Sequence, residues 1–231
     1  MPDEDAPQGY ASPPCLAHEI DPTYFDPQAT DPQTTRDVAR FRTTERERLN
    51  AERKALSGAD RAALVAGLSG HLLAFVRGLG PAAGRAISGY WPIRGEPDLR
   101  PVMQVLHDEG WAIALPLVET RAAPLVFRLW TPQTAMVRGH WGIFEPPRTA
   151  PALTPDVLIA PLVGWDGAGY RLGHGGGYFD RTLGAATHAP LAIGTGLQSA
   201  RIATIFPQWH DIRMSVILTE AGQQVPERAN P

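Results

Sequence analysis

The sequence predicts an α/β fold: one three-layer domain, a mostly parallel sheet flanked by helices, with an irregular N-terminal extension. Three observations predict it. Between residues 86 and 116 an apolar run, a helical pattern and a second apolar run follow one another, the β-α-β order that builds parallel sheets. Val157-Leu158-Ile159-Ala160-Pro161 is apolar throughout, as a strand covered on both faces would be. The chain has 231 residues, 43% of them hydrophobic, and a formal charge of -3, enough for one core that needs no staples.

Composition also excludes several classes. Cys15 is the only cysteine, so neither an intrachain disulfide nor a cysteine-based metal cluster is available, and a reducing, cytoplasmic setting is expected. No long apolar span or export leader stands out, so no membrane association is expected. A near-neutral charge leaves no electrostatic footprint for nucleic acid. The expected assembly is a monomer or homodimer.

Residues 1–33 form an acidic, proline-rich extension without Lys or Arg, a composition that builds neither a regular helix nor a compact core. Cys15, His18 and Glu19 could be arranged as metal ligands, but a docked or disordered arm accounts for them more simply. The domain is expected over residues 34–220, and residues 221–231 read as a polar C-terminal tail.

From Thr34 to Leu56, Val38, Phe41, Leu49 and Leu56 recur at helical spacing. Ser57 then opens a second helix with Asp60 in a capping-box position, and Leu64, Leu68, Leu72, Phe75 and Leu79 mark its buried stripe. Arg42 and Arg46 lie one turn apart and leave the same face of the first helix. Taken alone, they read as part of a solvated charged face.

Ala86 to Trp91 reads as a strand ended by Pro92, Asp98 to Glu109 as a helix, and Trp111 to Pro116 as the next strand. Trp91-Pro92-Ile93-Arg94-Gly95-Glu96-Pro97-Asp98 therefore sits at a strand's carboxyl end, where α/β folds hold ligands. On residue chemistry alone, Glu96 is a helix-N-terminal acid and Trp91 a core residue. Leu125 to Trp130 alternates like an antiparallel strand, Gly142-Ile143-Phe144-Glu145-Pro146 reads as a turn, Leu191 to Gly194 as a strand, and Ser215 to Thr219 as the last strand.

The stretch from Gly164 to Arg181 organises the chain: strand, glycine loop, helix start. Its glycines admit positive φ and close approach of backbone N–H groups to a ligand. The following helix points its N-terminal dipole the same way, which suits phosphate. Arg171 and Arg181 bracket the turn, and Asp180 is an oxygen donor of the kind that holds the Mg2+ accompanying a triphosphate. No Lys makes it a Walker loop, and Tyr178 stands where a dinucleotide fingerprint starting at Gly173 needs glycine. The loop reads as a nucleotide-phosphate site, against the plainer reading of a flexible turn.

Tyr170-Arg171-Leu172-Gly173-His174-Gly175-Gly176-Gly177-Tyr178-Phe179-Asp180-Arg181 closely resembles the signature of the 5-formyltetrahydrofolate cyclo-ligase (methenyltetrahydrofolate synthetase) family. The resemblance covers about residues 36 to 220 and includes Gly142-Ile143-Phe144-Glu145-Pro146 and His210-Asp211. It implies ATP- and Mg2+-dependent closure of 5-formyltetrahydrofolate to 5,10-methenyltetrahydrofolate, with release of ADP and phosphate. It also implies site roles. Arg42 and Arg46 would hold ATP phosphate with the backbone of Arg171, Leu172, Gly173, His174, Gly175, Gly176, Gly177, Tyr178 and Phe179. Asp180 and Asp211 would hold Mg2+. Trp91 and Glu96 would line the folate pocket, with His174, Tyr178 and the glycines of the loop at the folate or the transferred phosphoryl group. Glu145 is given mainly a structural role.

Leu99, His174 and Ser215 depart from the family pattern. They keep open an alternative, a non-catalytic folate- or nucleotide-binding paralogue. An enzyme acting on a different phosphorylated substrate is a further alternative. A Ser-His-Asp hydrolase is not supported, because no Gly-x-Ser-x-Gly elbow presents a nucleophile.

Overall fold

A computed structural model describes residues 32–225. The chain divides after Asp37 into two compact units. Of the first, residues 32–37 are described and are helical; the acidic arm with Cys15, His18 and Glu19 lies outside the described residues, as does the chain beyond Val225. The second unit carries the sheet.

In chain order, α1 (Pro32–Ala55) and α2 (Gly58–Gly78) lead to β1 (Ala86–Ser88), α3 (Arg100–Asp108), β2 (Ala112–Leu117) and β3 (Val126–Trp130). Short strands follow: β4 (Val137–Arg138), β5 (Phe144–Glu145) and β6 (Ala152–Leu153). Then come β7 (Val157–Pro161), β8 (Gly164–Asp166), β9 (Arg171–Leu172), α4 (Tyr178–Ala185), β10 (Leu191–Thr195), β11 (Arg201–Ile202), β12 (Val216–Thr219) and β13 (Gly222–Val225).

The main sheet runs β13-β12-β10-β7-β1-β2-β3-β6. Its centre, from β12 to β2, is parallel, and antiparallel partners close both edges. Alternate residues of the central strands feed two cores, which is why these strands are apolar without interruption. Ile87, Ile113, Ile159 and Ile193 pack with Leu68, Leu72 and Val76 of α2 and Val102, Met103 and Leu106 of α3. On the opposite face Ala114, Leu158, Ala160 and Ile217 pack with Leu49 of α1, Trp165 and Leu172, with Phe179 and Leu183 of α4 at the margin. The three-layer architecture is the expected one.

Local chemistry explains the boundaries. Ser57 caps α2 by accepting from the Asp60 N–H at 3.1 Å. By length and composition alone α2 could cross a membrane, which the sequence reading had not noticed, yet its buried residues Leu68, Leu72 and Val76 enter the core. β1 stops at Ser88 rather than Trp91, because Tyr90 and Trp91 turn off to line the cavity described below.

Two stretches differ from expectation. Gly164 to Gly177 is not one loop: β8 and β9 pair as a hairpin, and β11 joins β8 in a three-stranded sheet. Buried Asp166 closes the hairpin, its Oδ1 accepting from the N–H groups of Ala168 (3.1 Å) and Tyr170 (3.0 Å) and its Oδ2 from Ile205 (3.0 Å). β12 is also not the last strand. Gly222–Val225, inside the stretch read as a polar tail, pairs antiparallel with β12, since an edge strand can be held by its backbone without an apolar pattern.

Candidate functional site

The carboxyl ends of β1 and β7 open into one cavity of about 470 Å³, walled by α1, the loop after β1, the β4–β5 segment, the glycine loop and the segment before β12. The residues given site roles by the family resemblance line it: Arg42, Arg46, Trp91, Glu96, Arg171 to Asp180, and Asp211; Arg181, at the loop's other end, does not. Residues scattered over some 170 positions thus meet at the sheet edge where α/β ligand sites form.

One half of the cavity is cationic. Arg42 and Arg46 leave α1 on the same side but bind differently. Arg42 makes a forked pair with Asp211 (Nη2 to Oδ2 2.5 Å, Nη1 to Oδ1 3.2 Å) and donates to the carbonyls of Ile205 (2.9 Å) and Phe206 (2.8 Å). Arg46 donates from Nε to the Gly173 carbonyl at 2.7 Å, and its two terminal nitrogens bond no other described residue. Burial pushes the Arg46 guanidinium below its ordinary value, as does neighbouring Arg42, against a pull from Asp211. Arg171, with a 4% exposed side chain, pairs with Asp180 at 2.6 Å and lies over the Phe179 ring. Burial lowers its pKa, and Asp180 and Asp211 oppose that.

The glycine loop is a turn that needs its glycines. Gly175 (φ 98°) and Gly177 (φ 63°) occupy the left-handed region as the chain swings into α4. The Gly173 and Gly176 carbonyls are taken by Arg46 and Arg181. The N–H groups of His174 to Gly177 make no hydrogen bond among the described residues, and they precede the open N-terminus of α4. Loop N–H groups, a helix start and spare guanidinium nitrogens suit a polyphosphate.

The other half is largely apolar, with Trp91, Ile143 and Phe144 beside the acids Glu96 and Glu145. Ile93 to Glu96 is a tight turn with positive φ at Arg94 and Gly95, closed by Glu96 N–H to Ile93 O at 2.9 Å. The Glu96 carboxylate folds back to accept from Ile93 N–H at 2.9 Å, and His174 Nε2 lies 2.9 Å from its other oxygen. Trp91 packs near Phe144, with ring centroids 6.3 Å apart.

A magnesium ion takes oxygen donors and keeps waters when only one or two carboxylates are offered. Asp180 and Asp211 line the same cavity and fit that description for an ion held mainly by phosphate. No cluster of three or more acid, histidine or cysteine side chains occurs among the described residues. Each acid is engaged: Asp180 with Arg171 and Ile212 N–H (3.2 Å), Asp211 with Arg42 and Gln208 N–H (2.6 Å).

Residues 38–220 match the model of the 5-formyltetrahydrofolate cyclo-ligase family. The chain belongs to this family. Its sequence is 32% identical over 145 residues to the 5-formyltetrahydrofolate cyclo-ligase of Mycolicibacterium smegmatis, covering 59% of this chain and 74% of that protein. It is 39% identical over 94 residues to that of Escherichia coli K12, covering 38% of this chain and 52% of that protein. A solved 5,10-methenyltetrahydrofolate synthetase from Aquifex aeolicus superposes with a TM-score of 0.66 at 25% identity, over 82% of this chain and 95% of that one. One from Mycoplasma pneumoniae, at 21% identity, shares the fold with a TM-score of 0.64 over 78% and 98%. Membership places the cyclo-ligase chain among enzymes, ligases of folate one-carbon metabolism.

The structure revises two departures from the family pattern. Leu99 is a buried core residue outside the cavity lining. Ser215 receives the Ala192 N–H at 3.3 Å, and Asp211 draws its support from Arg42 and the Gln208 N–H instead. Sequence reasoning missed cavity-lining Trp141, whose φ of 55° is unusual for a bulky residue, and it gave Glu145 mainly a structural role although Glu145 also lines the cavity. An aromatic beside Gly142 was the available signal.

Proposed function

We propose that this cyclo-ligase family member converts 5-formyltetrahydrofolate to 5,10-methenyltetrahydrofolate with ATP and Mg2+, releasing ADP and phosphate. The observation that carries the reading is the meeting of two chemically opposite half-sites in one cavity: Arg46 with the glycine loop, and Trp91 with Glu96. The cytoplasm is the proposed location.

An N-formyl oxygen is a poor leaving group. The formyl oxygen attacks the γ-phosphorus, the bond to the bridging oxygen breaks and ADP departs. N10 then attacks the formyl carbon, the carbon–oxygen bond breaks, phosphate leaves and N10 loses its proton. Neither step needs a protein nucleophile; both need in-line positioning and charge neutralisation. Arg46 would grip the phosphates through its terminal nitrogens, Arg42 would add its charge while holding Asp211, and the N–H groups of His174 to Gly177 would receive the transferred group. The Tyr178 hydroxyl would border it. Glu96 would accept the pterin's amino and ring N–H donors, with Trp91 against the ring. Asp180 and Asp211 would hold Mg2+, which when bound neutralises phosphate charge.

Mixing the protein with 5-formyltetrahydrofolate, ATP and Mg2+ and following the methenyl chromophore tests the reading. Growth of that absorbance, dependent on all three, is expected. Folate and ATP binding without absorbance change would favour the non-catalytic paralogue, a reading supported by the engagement of Glu96, Asp180 and Asp211 with protein partners. ATP binding without folate binding would point to another phosphorylated substrate.

A further inference from the structure

Glu96, the acid assigned above to the pterin, lines the cavity with each carboxylate oxygen already engaged by the protein. Oε2 accepts from Ile93 N–H and Oε1 faces His174 Nε2, both at 2.9 Å. Its side chain is 2% exposed, whereas that of His174 is 23% exposed. A buried carboxylate with one oxygen paired to an imidazole and the other to a backbone N–H offers the paired N–H edge of a flat heterocycle its full acceptor set only once the imidazole moves.

His174 is mounted on a segment that few backbone hydrogen bonds hold. Gly175 follows it in the left-handed region, and the N–H groups of the loop from His174 to Gly177 are unbonded among the described residues. The preceding residue is anchored, because Arg46 Nε holds the Gly173 carbonyl at 2.7 Å. A swing of His174 therefore leaves the phosphate-binding turn attached to α1.

We propose that His174 is a displaceable latch on Glu96, closing the folate half of the cavity and driven off the carboxylate when the pterin's paired N–H donors arrive. The proposal rests on the folate reading above. His174 is then a positioning residue acting through Glu96. While the latch is closed, only a fraction of molecules is competent to bind, and the apparent affinity falls by that fraction. A hydrogen bond to a carboxylate corresponds to about a tenfold population difference.

The test is equilibrium binding of 5-formyltetrahydrofolate without ATP, read by tryptophan fluorescence and calorimetry, on the full chain and four variants. His174→Ala and His174→Asn, which removes or shortens the arm, are expected to bind folate about tenfold more tightly. His174→Gln, long enough to keep an N–H on Glu96, is expected to stay within about twofold of the parent. Glu96→Ala should weaken folate binding about 10–100-fold. Tightening by truncation is an outcome that a merely structural histidine, or one that touches folate directly, would not give. Equal or weaker binding by both short variants overturns the latch alone. Absence of folate binding by the parent protein overturns the folate reading, and the latch with it.

Discussion

Arg171 Nη2 lies 2.6 Å from Asp180 Oδ2, so an arginine before the glycine loop pairs with an acid after it. The Arg171 side chain is 4% exposed, and removing Asp180 strands that cation in the interior. Asp180→Ala is therefore expected to abolish ATP-driven closure and also to cost about 2–3 kcal/mol of stability, less than a fully buried pair because Asp180 keeps some solvent contact. Asp180→Asn, which retains an acceptor for Arg171, should recover most of the stability and little of the turnover. Thermal melting and the methenyl absorbance read the two effects separately. Near-normal turnover in either variant would take Asp180 out of the metal role.

Glu96 tests the other half-site. Glu96→Ala removes the acceptor proposed for the pterin and should weaken folate binding about 10–100-fold, the range for a hydrogen-bonded charged group. ATP affinity should hold, since the carboxylate contacts only Ile93 and His174. Calorimetry with each substrate separately decides it. An unchanged folate affinity would return Glu96 to the role of a turn-closing acid, which it already fills through Ile93 N–H.

How far the fold was legible depended on where its information lies. The apolar run Val157–Pro161 and the capping pair Ser57 and Asp60 are local and could be read directly. The β8–β9 hairpin was not, because the turn is closed by the Asp166 side chain within a sequence that otherwise looks like loose glycine. β13 is polar and held by its neighbour's backbone, so no pattern announced it. In the site, residue types were legible from a contiguous motif, but partnerships were not. Arg42 finds Asp211 from 169 positions away, and His174 finds Glu96 from 78. Such pairings belong to the tertiary fold.

Tyr90 gives a pH-dependent expectation. Its hydroxyl donates to the Pro97 carbonyl at 3.1 Å, and burial, with Glu96 nearby, pushes its pKa well above the ordinary tyrosine value. The neutral phenol is therefore favoured by folding. Its contribution is fully present below the unfolded pKa of about 10 and is lost as pH rises beyond it. Tyr90→Phe should cost about 1 kcal/mol at neutral pH by leaving the Pro97 carbonyl without its donor. The same variant should flatten the loss of stability above about pH 10. Denaturant titrations at neutral and alkaline pH measure both, and an unaltered alkaline slope would show that Tyr90 ionises as readily folded as unfolded.

Arg46 differs from its neighbour in having capacity left. Arg42 spends its fork on Asp211, whereas Arg46 uses only Nε, on the Gly173 carbonyl, and its terminal nitrogens remain for an anion. Charged contacts in a partly desolvated cleft are strong, so Arg46→Ala should weaken ATP about 10–100-fold while leaving folate binding without ATP nearly unchanged. Arg46→Lys should restore the charge but not the fork, and one ammonium cannot anchor Gly173 and grip phosphate with the same geometry. Partial recovery is expected, with stronger weakening by salt than in the parent protein. Full recovery by Lys would mean that charge alone matters at this position, and an unaffected ATP affinity in Arg46→Ala would remove α1 from the phosphate site.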